Sequence, residues 1–185
     1  MAAATAQATK KESRLKGLKK EKLSQPSFFL FYGGEGVGKS TLAADMPSPI
    51  FFDIENGSAR LDVVRYPFND RLTPHVPVSL AELYEGLRDL REGEHEFSTL
   101  VIDTVDRLEG IVWDHVCKKH DKANITAFGY GHGHALAFDE WRLLWSQLDD
   151  LRKARGMDVV LLGHAMIRRF NNPEGEDYDR YQLKL

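Results

Sequence analysis

The sequence predicts an α/β fold, in which a mainly parallel β-sheet is covered by helices on both of its faces. Three features indicate this class: the apolar runs are continuous rather than alternating, amphipathic stretches separate them, and glycine or a polar residue follows each run. The 185 residues suit one domain with a single core. With 42% hydrophobic and 29% charged residues, the composition is that of a globular protein and excludes wholesale disorder.

The first half of the chain holds the first three predicted strands. Residues 28–32 form an apolar run, followed by glycines and by a short helix over residues 40–46 that Pro47 ends. Residues 50–54 form the second strand and residues 99–102 the third. Between these two strands, Ser79 and Glu82 form a capping box that opens a helix with leucines at positions 80, 83, 87 and 90 on one face.

The second half continues the alternation of helix and strand. Apolar spacing predicts helices over residues 108–116 and 138–155, the second closed by Gly156, and strands over residues 157–162 and from residue 181 onward. Residues 123–134 contain three glycines and no clear period, so we expect a loop there. A loop of this length in a compact domain tends to be functional.

The first 25 residues differ from the rest in charge. They carry seven Lys or Arg against two Glu, a net charge of +5, so the remainder carries −8 of the total of −3. Because they have almost no large apolar side chains, we expect a flexible basic arm over residues 1–25 ahead of a core over residues 26–185. Such an arm can contact the phosphates of nucleic acid, or it can be a solvated tail without a specific role.

The sequence contains neither a membrane span nor a secretory signal. No run approaches the roughly 18 apolar residues that a span requires, and the N-terminal lysines are not followed by an apolar stretch. Cys117 is the single cysteine, so no internal disulfide can form and a reducing compartment fits best. We therefore expect a cytoplasmic protein that does not bind membranes.

The most specific motif lies between the first strand and the first helix, where the sequence fits the P-loop pattern G-x-x-x-x-G-K-[ST]. Its glycines allow backbone N–H groups to turn toward phosphate oxygens, Lys39 neutralises the β and γ oxygens, and Ser40 offers a hydroxyl to Mg²⁺. The motif predicts that ATP with Mg²⁺ is bound by Gly33, Gly34, Glu35, Gly36, Val37, Gly38, Lys39, Ser40 and Thr41.

Three further polar residues follow predicted strands, at the edge where parallel sheets place their sites. Asp103 follows the third strand, where a carboxylate can hold Mg²⁺ beside Ser40 or can cap the next helix. Glu55 follows the second strand, where it can activate an attacking water or belong to the turn before Asn-Gly. His164 follows the fourth strand, where it can sense the γ-phosphate or have a structural role.

The remaining histidines do not indicate a zinc site. Their spacings match no standard zinc motif, and the presence of a single cysteine disfavours a structural tetrahedral cluster.

Taken together, the motifs resemble RecA-type ATPases, and specifically the phage ATP-binding proteins of the AAA class that include RecA-like single-strand annealing proteins. The resemblance runs from about Ser27 to the last residue. It rests on Glu35 in the P-loop, on residues 52–55 (Phe-Asp-Ile-Glu), on the Walker B pattern of residues 100–104 and on His164; residues 170–178 also resemble the phage group. It implies a RecA-like P-loop NTPase core in which Lys39, Glu55 and His164 are catalytic and Ser40 and Asp103 hold Mg²⁺.

The resemblance also implies binding of single-stranded DNA. RecA-type proteins bind it with two mobile loops, which here correspond to about residues 124–134 and 165–179. The first loop offers Phe128 and Tyr130 for stacking on bases, and the second offers Arg168, Arg169 and Phe170 for phosphate and stacking contacts. Ordinary solvent-exposed loops are the alternative, because the second loop is also rich in acidic residues.

A homo-oligomer is a further implication, since RecA-type sites are completed by a basic residue from a neighbouring subunit. Lys184 is a weak candidate for that residue. The family's core adds further strands where this sequence stops at Leu185, so a core truncated at its C-terminus and a lone ATPase core are the two interpretations.

The leading hypothesis is thus a DNA-stimulated ATPase of phage-type recombination or strand annealing. One alternative is a P-loop kinase of a nucleotide or small metabolite, with Arg168 and Arg169 as a short basic lid, and another is a nucleotide-dependent regulatory module that does not hydrolyse ATP. A glutamate at position 55 favours attack by water over transfer to a metabolite, and the lack of an Asn-Lys-x-Asp segment disfavours a GTPase.

Overall fold

The structure, a computed structural model, describes residues 25–68 and 79–185. Residues 1–24 of the expected basic arm lie outside the described residues. Within the described ranges the strands are β1 (Phe28–Gly33), β2 (Pro49–Asp53), β3 (Val64–Arg65), β4 (Thr99–Asp103), β5 (Asp158–Phe170) and β6 (Tyr178–Leu183).

The strands form one sheet in the order β1-β5-β4-β2-β3. All four neighbouring pairs along this path are parallel, whereas β6 pairs antiparallel with the second half of β5. Parallel neighbours require crossovers, and helices supply them except between β2 and β3, where residues 54–63 form no helix. The predicted α/β class with a mainly parallel sheet is confirmed.

The helices begin and end near the predicted positions, with one exception described below. They are α1 (Lys39–Ala44), α2 (Leu80–Glu92), α3 (Val105–Lys119) and α4 (His132–Arg155). The Ser79 half of the capping box at α2 is present, because the Ser79 hydroxyl accepts a hydrogen bond from the backbone N–H of Glu82 at 3.3 Å. Gly156 ends α4 in the left-handed conformation, with φ 68°.

Side chains on the two faces of the sheet alternate along the central strands. On one face, Phe52, Ile102 and Leu161 belong to the large core that packs against α2, α3 and α4. On the other face, Phe51 and Val101 belong to a smaller core that includes Ala43 of α1. Both faces are therefore covered, which explains why the strands are continuously apolar.

The predicted loop over residues 123–134 was wrong. A 3₁₀ helix (Ile125–Phe128) occupies part of it, and α4 begins at His132, six residues earlier than the predicted start at Phe138. A Cβ on Gly133 would lie 2.3 Å from the carbonyl oxygen of Ile125, so the first turn of α4 packs directly on the 3₁₀ helix. This contact joins segments that show no common period in sequence.

The prediction of a mobile loop over residues 165–179 was also wrong. Residues 165–170 continue β5, and β6 returns beside them with Phe170 opposite Tyr178 and Ala165 opposite Leu183. A two-stranded ribbon thus replaces most of the expected loop, and a turn over residues 171–177 joins its strands. The turn is closed by the Asp177 carboxylate, which accepts from the backbone N–H of Asn172 at 3.0 Å.

The short strand β3 was not predicted, because two residues carry no periodic signal. It adds an edge next to β2, with Ile50 opposite Val64 and Phe51 opposite Arg65. Among the described residues, no helix has both the length and the apolar character needed to cross a bilayer.

Candidate functional site

The P-loop joins β1 to α1 in the predicted place. Gly33 is the last residue of β1, and α1 begins at Lys39. Gly36 and Gly38 have φ values of 75° and 93°, which L-residues with a side chain rarely adopt. Glu35 and Val37 lie on the same turn and Thr41 lies in α1, and all three are exposed to solvent.

Lys39 is held inside this turn by the loop itself. Its ammonium group donates to the carbonyl oxygens of Gly34 at 2.9 Å and Gly33 at 3.2 Å. The backbone N–H of Leu42 donates to the carbonyl of Gly38 at 2.9 Å, which closes the first turn of α1 behind the loop. The positive charge therefore lies at the concave side of a loop whose shape suits an anion.

Ser40 and Asp103 meet across the sheet edge. The Ser40 hydroxyl donates to Oδ2 of Asp103 at 2.8 Å, and Asp103 is only 3% exposed. Burial raises the pKa of the Asp103 carboxyl above its ordinary value, with smaller contributions in the same direction from Asp53 and Glu55. Hydrogen bonding from Ser40 and the charge of Lys39 lower this pKa in part.

This pair of oxygen donors fits Mg²⁺. A hydroxyl and a carboxylate are hard ligands, and Mg²⁺ in phosphate sites binds through one or two such groups plus water and substrate phosphates. The buried carboxylate, whose ionised form is disfavoured by desolvation, would be stabilised by a divalent cation. Ser40 and Asp103 are therefore the residues that would hold the ion.

Glu55 follows β2 on a turn that a buried polar network holds in place. The Asp53 carboxylate, 6% exposed, accepts from the backbone N–H groups of Gly57 at 2.9 Å and Ser58 at 3.1 Å and from the Ser58 hydroxyl. Arg65 of β3 donates to the Ser58 hydroxyl at 2.8 Å and lies 3.8 Å from Asp53. Sequence analysis missed this network, which we call the Asp53 clamp (Asp53, Ser58 and Arg65).

The same turn is also tied to β4. The backbone N–H groups of Ile54 and Glu55 both donate to the carbonyl oxygen of Asp103, at 2.7 Å and 3.2 Å. The residue that follows β2 and the residue that ends β4 are therefore neighbours in space. The registers agree, since Asp53 lies opposite Asp103 in the sheet.

His164 lies on β5 at the same edge, opposite Gly33 of the P-loop strand. Its ring Nδ1 is 2.9 Å from Oδ2 of Asp106 and 4.0 Å from Oε2 of Glu55. Ligand atoms of Glu55, Asp106 and His164 lie within 4.8 Å of one another. Asp106, in the first turn of α3, was not singled out from the sequence, because it carries no motif and shares its position with ordinary helix-start carboxylates.

The residues predicted to contact DNA lie on two different elements. Tyr130 is fully exposed beside the 3₁₀ helix, whereas Phe128 is half-buried and packs edge-on against His120 with ring centres 5.6 Å apart. The β5–β6 ribbon carries Arg168, Arg169 and Phe170. Among the described residues, these three make no hydrogen bond or ion pair with the P-loop.

The site thus combines three features: a P-loop, the buried Asp103 carboxylate beside Ser40, and a parallel sheet whose edge carries both. The AAA domain family matches residues 26–185. The chain belongs to the AAA domain family. The match covers all of the chain except the N-terminal segment, and it supports an AAA-type, nucleotide-binding ATPase domain.

The match to the AAA domain family does not extend to the resemblance to phage RecA-like annealing proteins. The family description names neither DNA nor recombination, so the likeness to phage RecA-like annealing proteins stays a prediction. No curated protein matches the sequence.

Proposed function

We propose that this AAA domain binds ATP with Mg²⁺ at its P-loop and hydrolyses it in response to single-stranded DNA, in recombination or strand annealing of the phage type. The observation that carries the ATPase part is the hydrogen bond between Ser40 and the buried Asp103 at 2.8 Å. It places the Walker A hydroxyl and the Walker B carboxylate side by side, beside the ammonium group that the loop holds.

In this proposal each group at the sheet edge has a task that its chemistry allows. The turn of residues 33–41 binds the phosphates through backbone N–H groups, and Lys39 neutralises the β and γ oxygens. Bound Mg²⁺, held by Ser40 and Asp103, would supply charge stabilisation for the phosphate oxygens. Glu55 orients the attacking water or accepts its proton, and His164 senses the γ-phosphate.

The DNA part of the proposal rests on the β5–β6 ribbon and on Tyr130. The ribbon presents Arg168 and Arg169 on an exposed surface, and the guanidinium of Arg180 stacks on the Phe170 ring at 4.4 Å. Successive side chains of a strand point to opposite faces, so Arg168, Phe170 and Arg180 share one face of the ribbon and Arg169 lies on the other. Aromatic and basic side chains on one face suit stacking on bases and contact with phosphates. Acidic partners reduce the charge, since Arg169 lies 3.8 Å from Asp177.

We further propose that the protein acts in the cytoplasm, that of the host cell if it is encoded by a phage, as a homo-oligomer. Completion of the site by a basic residue of a second copy stays a prediction. Lys184 lines a cavity of about 310 Å³ together with Glu55 of its own chain, so a contribution from within one subunit is compatible with its position.

The test of the ATPase part is ATP turnover with and without single-stranded DNA, at low and moderate salt, for the wild type and Lys39→Ala. We expect turnover that requires Lys39 and rises with DNA. The matched control is Lys118→Ala, an exposed lysine in the last turn of α3, which should behave as the wild type. Turnover that persists in Lys39→Ala would reject the P-loop as the site.

The test of the DNA part compares Arg169→Ala with Arg142→Ala. The two arginines have similarly exposed side chains, 65% and 72%, and each lies near a carboxylate. Binding of a labelled single strand should weaken in Arg169→Ala only, with a smaller dependence on salt concentration. ATP binding without any response to DNA would reject the DNA part and favour a metabolite kinase or a regulatory nucleotide module.

A further inference from the structure

Asp106 makes two hydrogen bonds to one residue of the candidate site. Its Oδ1 accepts from the backbone N–H of His164 at 3.1 Å, and its Oδ2 is 2.9 Å from the ring Nδ1 of the same histidine. The two residues are 58 positions apart in sequence, so the start of α3 is fastened to β5 by a single carboxylate. A bidentate contact of this kind fixes the ring orientation as well as the backbone.

The Asp106 carboxylate is ionised in this setting. Its side chain is 10% exposed, and burial by itself would raise its pKa. Hydrogen bonds from the ring and backbone of His164 outweigh burial, so the pKa lies below the ordinary value. An ionised carboxylate only accepts hydrogen bonds, so Nδ1 of His164 carries the proton that lies between them.

This assignment determines what the other ring nitrogen of His164 can do. With Nδ1–H donated to Asp106, a neutral ring offers Nε2 as an acceptor and has no N–H left for a phosphate oxygen. A ring that donates to Asp106 and to a phosphate at the same time carries both protons and a positive charge. A γ-phosphate sensor built on this histidine is therefore an imidazolium.

We propose that Asp106 is a positioning residue that holds His164 in the Nδ1–H form, so that the ring contacts the γ-phosphate as an imidazolium through Nε2–H. The proposal deepens the ATPase function proposed above and rests on it for its kinetic consequences. The charged groups near the ring are of both signs: Glu55 lies 4.0 Å from Nδ1 and favours a cation, and the adjoining cavity is also lined by the anion Glu109 and the cations Arg107 and Lys184.

The first measurement needs no variant of Asp106. Nitrogen-15 NMR of the imidazole rings at a pH where they are neutral distinguishes Nδ1–H from Nε2–H, and His164→Gln identifies the signal that belongs to His164. We expect the Nδ1–H tautomer. A neutral His164 in the Nε2–H tautomer overturns the proposal, whether or not the protein hydrolyses ATP.

The second measurement uses Asp106→Asn, which keeps the size of the side chain but presents an amide N–H to the ring. We expect the ring to change to Nε2–H when neutral, as the amide can donate to Nδ1. The neutral ring of the variant keeps an Nε2–H donor but loses the positive charge, so turnover should fall by about 10-fold in kcat with KM for ATP nearly unchanged. Asp106→Glu, which retains a carboxylate, should recover part of the activity.

The tautomer separates positioning from a merely structural role, because only the loss of the carboxylate moves the ring proton away from Nδ1. Asp114→Asn on the exposed side of α3 is the control and should leave both turnover and the NMR signal unchanged. An Asp106→Asn protein with the wild-type tautomer would overturn the proposal. If the wild type does not turn over ATP, the proposed function is rejected and the NMR result alone decides on Asp106.

Discussion

Replacing Ser40 with alanine tests whether the Ser40 hydroxyl and the Asp103 carboxylate are coupled as their geometry indicates. The hydroxyl lies 2.8 Å from Oδ2 of Asp103, which is 3% exposed, so little water can replace the lost donor. Hydrogen bonds to charged groups contribute about 1.5–3 kcal/mol. Ser40→Ala should lower the free energy of unfolding by that amount, and Tm by about 3–12 °C for a domain of this size.

The assay is urea unfolding at pH 7.5 without nucleotide and with a chelator, so that only the protein's own contacts are measured. In an Asp103→Asn background the remaining bond is between neutral groups and contributes about 0.5–1.5 kcal/mol. The double-mutant cycle should therefore give a coupling energy of about 1–1.5 kcal/mol. Thr41→Ala, the next residue of α1 and exposed, is the control for general effects on the helix.

Two results would refute this reasoning. If Ser40→Ala had the same effect in both backgrounds, within about 0.5 kcal/mol, the hydroxyl and the carboxylate would not interact energetically. If Thr41→Ala destabilised the protein as much as Ser40→Ala, the loss would belong to α1 rather than to the hydrogen bond.

Three further predictions concern the fold and the site. Gly133→Ala should lower the free energy of unfolding by about 1–3 kcal/mol, because the added Cβ would lie 2.3 Å from a backbone oxygen. Gly110→Ala, which has open space around it in α3, should raise the free energy of unfolding by about 0.5–1 kcal/mol. Thermal unfolding measures both variants, and equal effects would contradict the packing argument. Arg65→Ala should lower the free energy of unfolding by about 3 kcal/mol, because Asp53 loses its cation but keeps its other hydrogen bonds. The variant should also reduce ATP turnover. Unchanged turnover would show that the Asp53 clamp does not position Glu55. The folded state raises the pKa of Asp103, so the contribution of this one group to stability falls as pH rises from below 3.8 through the folded pKa. The difference in Tm between Asp103→Asn and the wild type should therefore shift in favour of the variant from acidic pH to pH 7. A difference in Tm that stays constant with pH would contradict the raised pKa.

The sequence predicted those parts of the molecule in which neighbouring residues carry the signal. The P-loop is one continuous segment, and the strands that end near Gly33, Asp53 and Asp103 are single apolar runs bounded by turn residues. Boundaries there were correct to within a residue or two. Two loop predictions failed, at residues 123–134 and 165–179, because glycine-rich and arginine-rich stretches lack an apolar period even when they are regular in structure.

The direction of β6 could not be read from the sequence. A run of residues such as Tyr178–Leu183 pairs equally well in either direction until a short turn decides it, and here the closed turn over residues 171–177 makes the pairing with β5 antiparallel. The expected second DNA loop became a ribbon for this reason. Its basic and aromatic side chains are consequently held on strands.

By itself, then, the sequence determined the α/β class, the P-loop and the polar residues that end the strands, because these follow from local composition and short spacing. Only the tertiary structure placed Asp53 against Arg65 and Asp106 against His164. Ordinary carboxylates at a strand end and in a first helical turn have no distinctive pattern, and their partners are set by which strands become neighbours. Contacts between distant segments depend on strand order and register, which a single sequence does not encode locally.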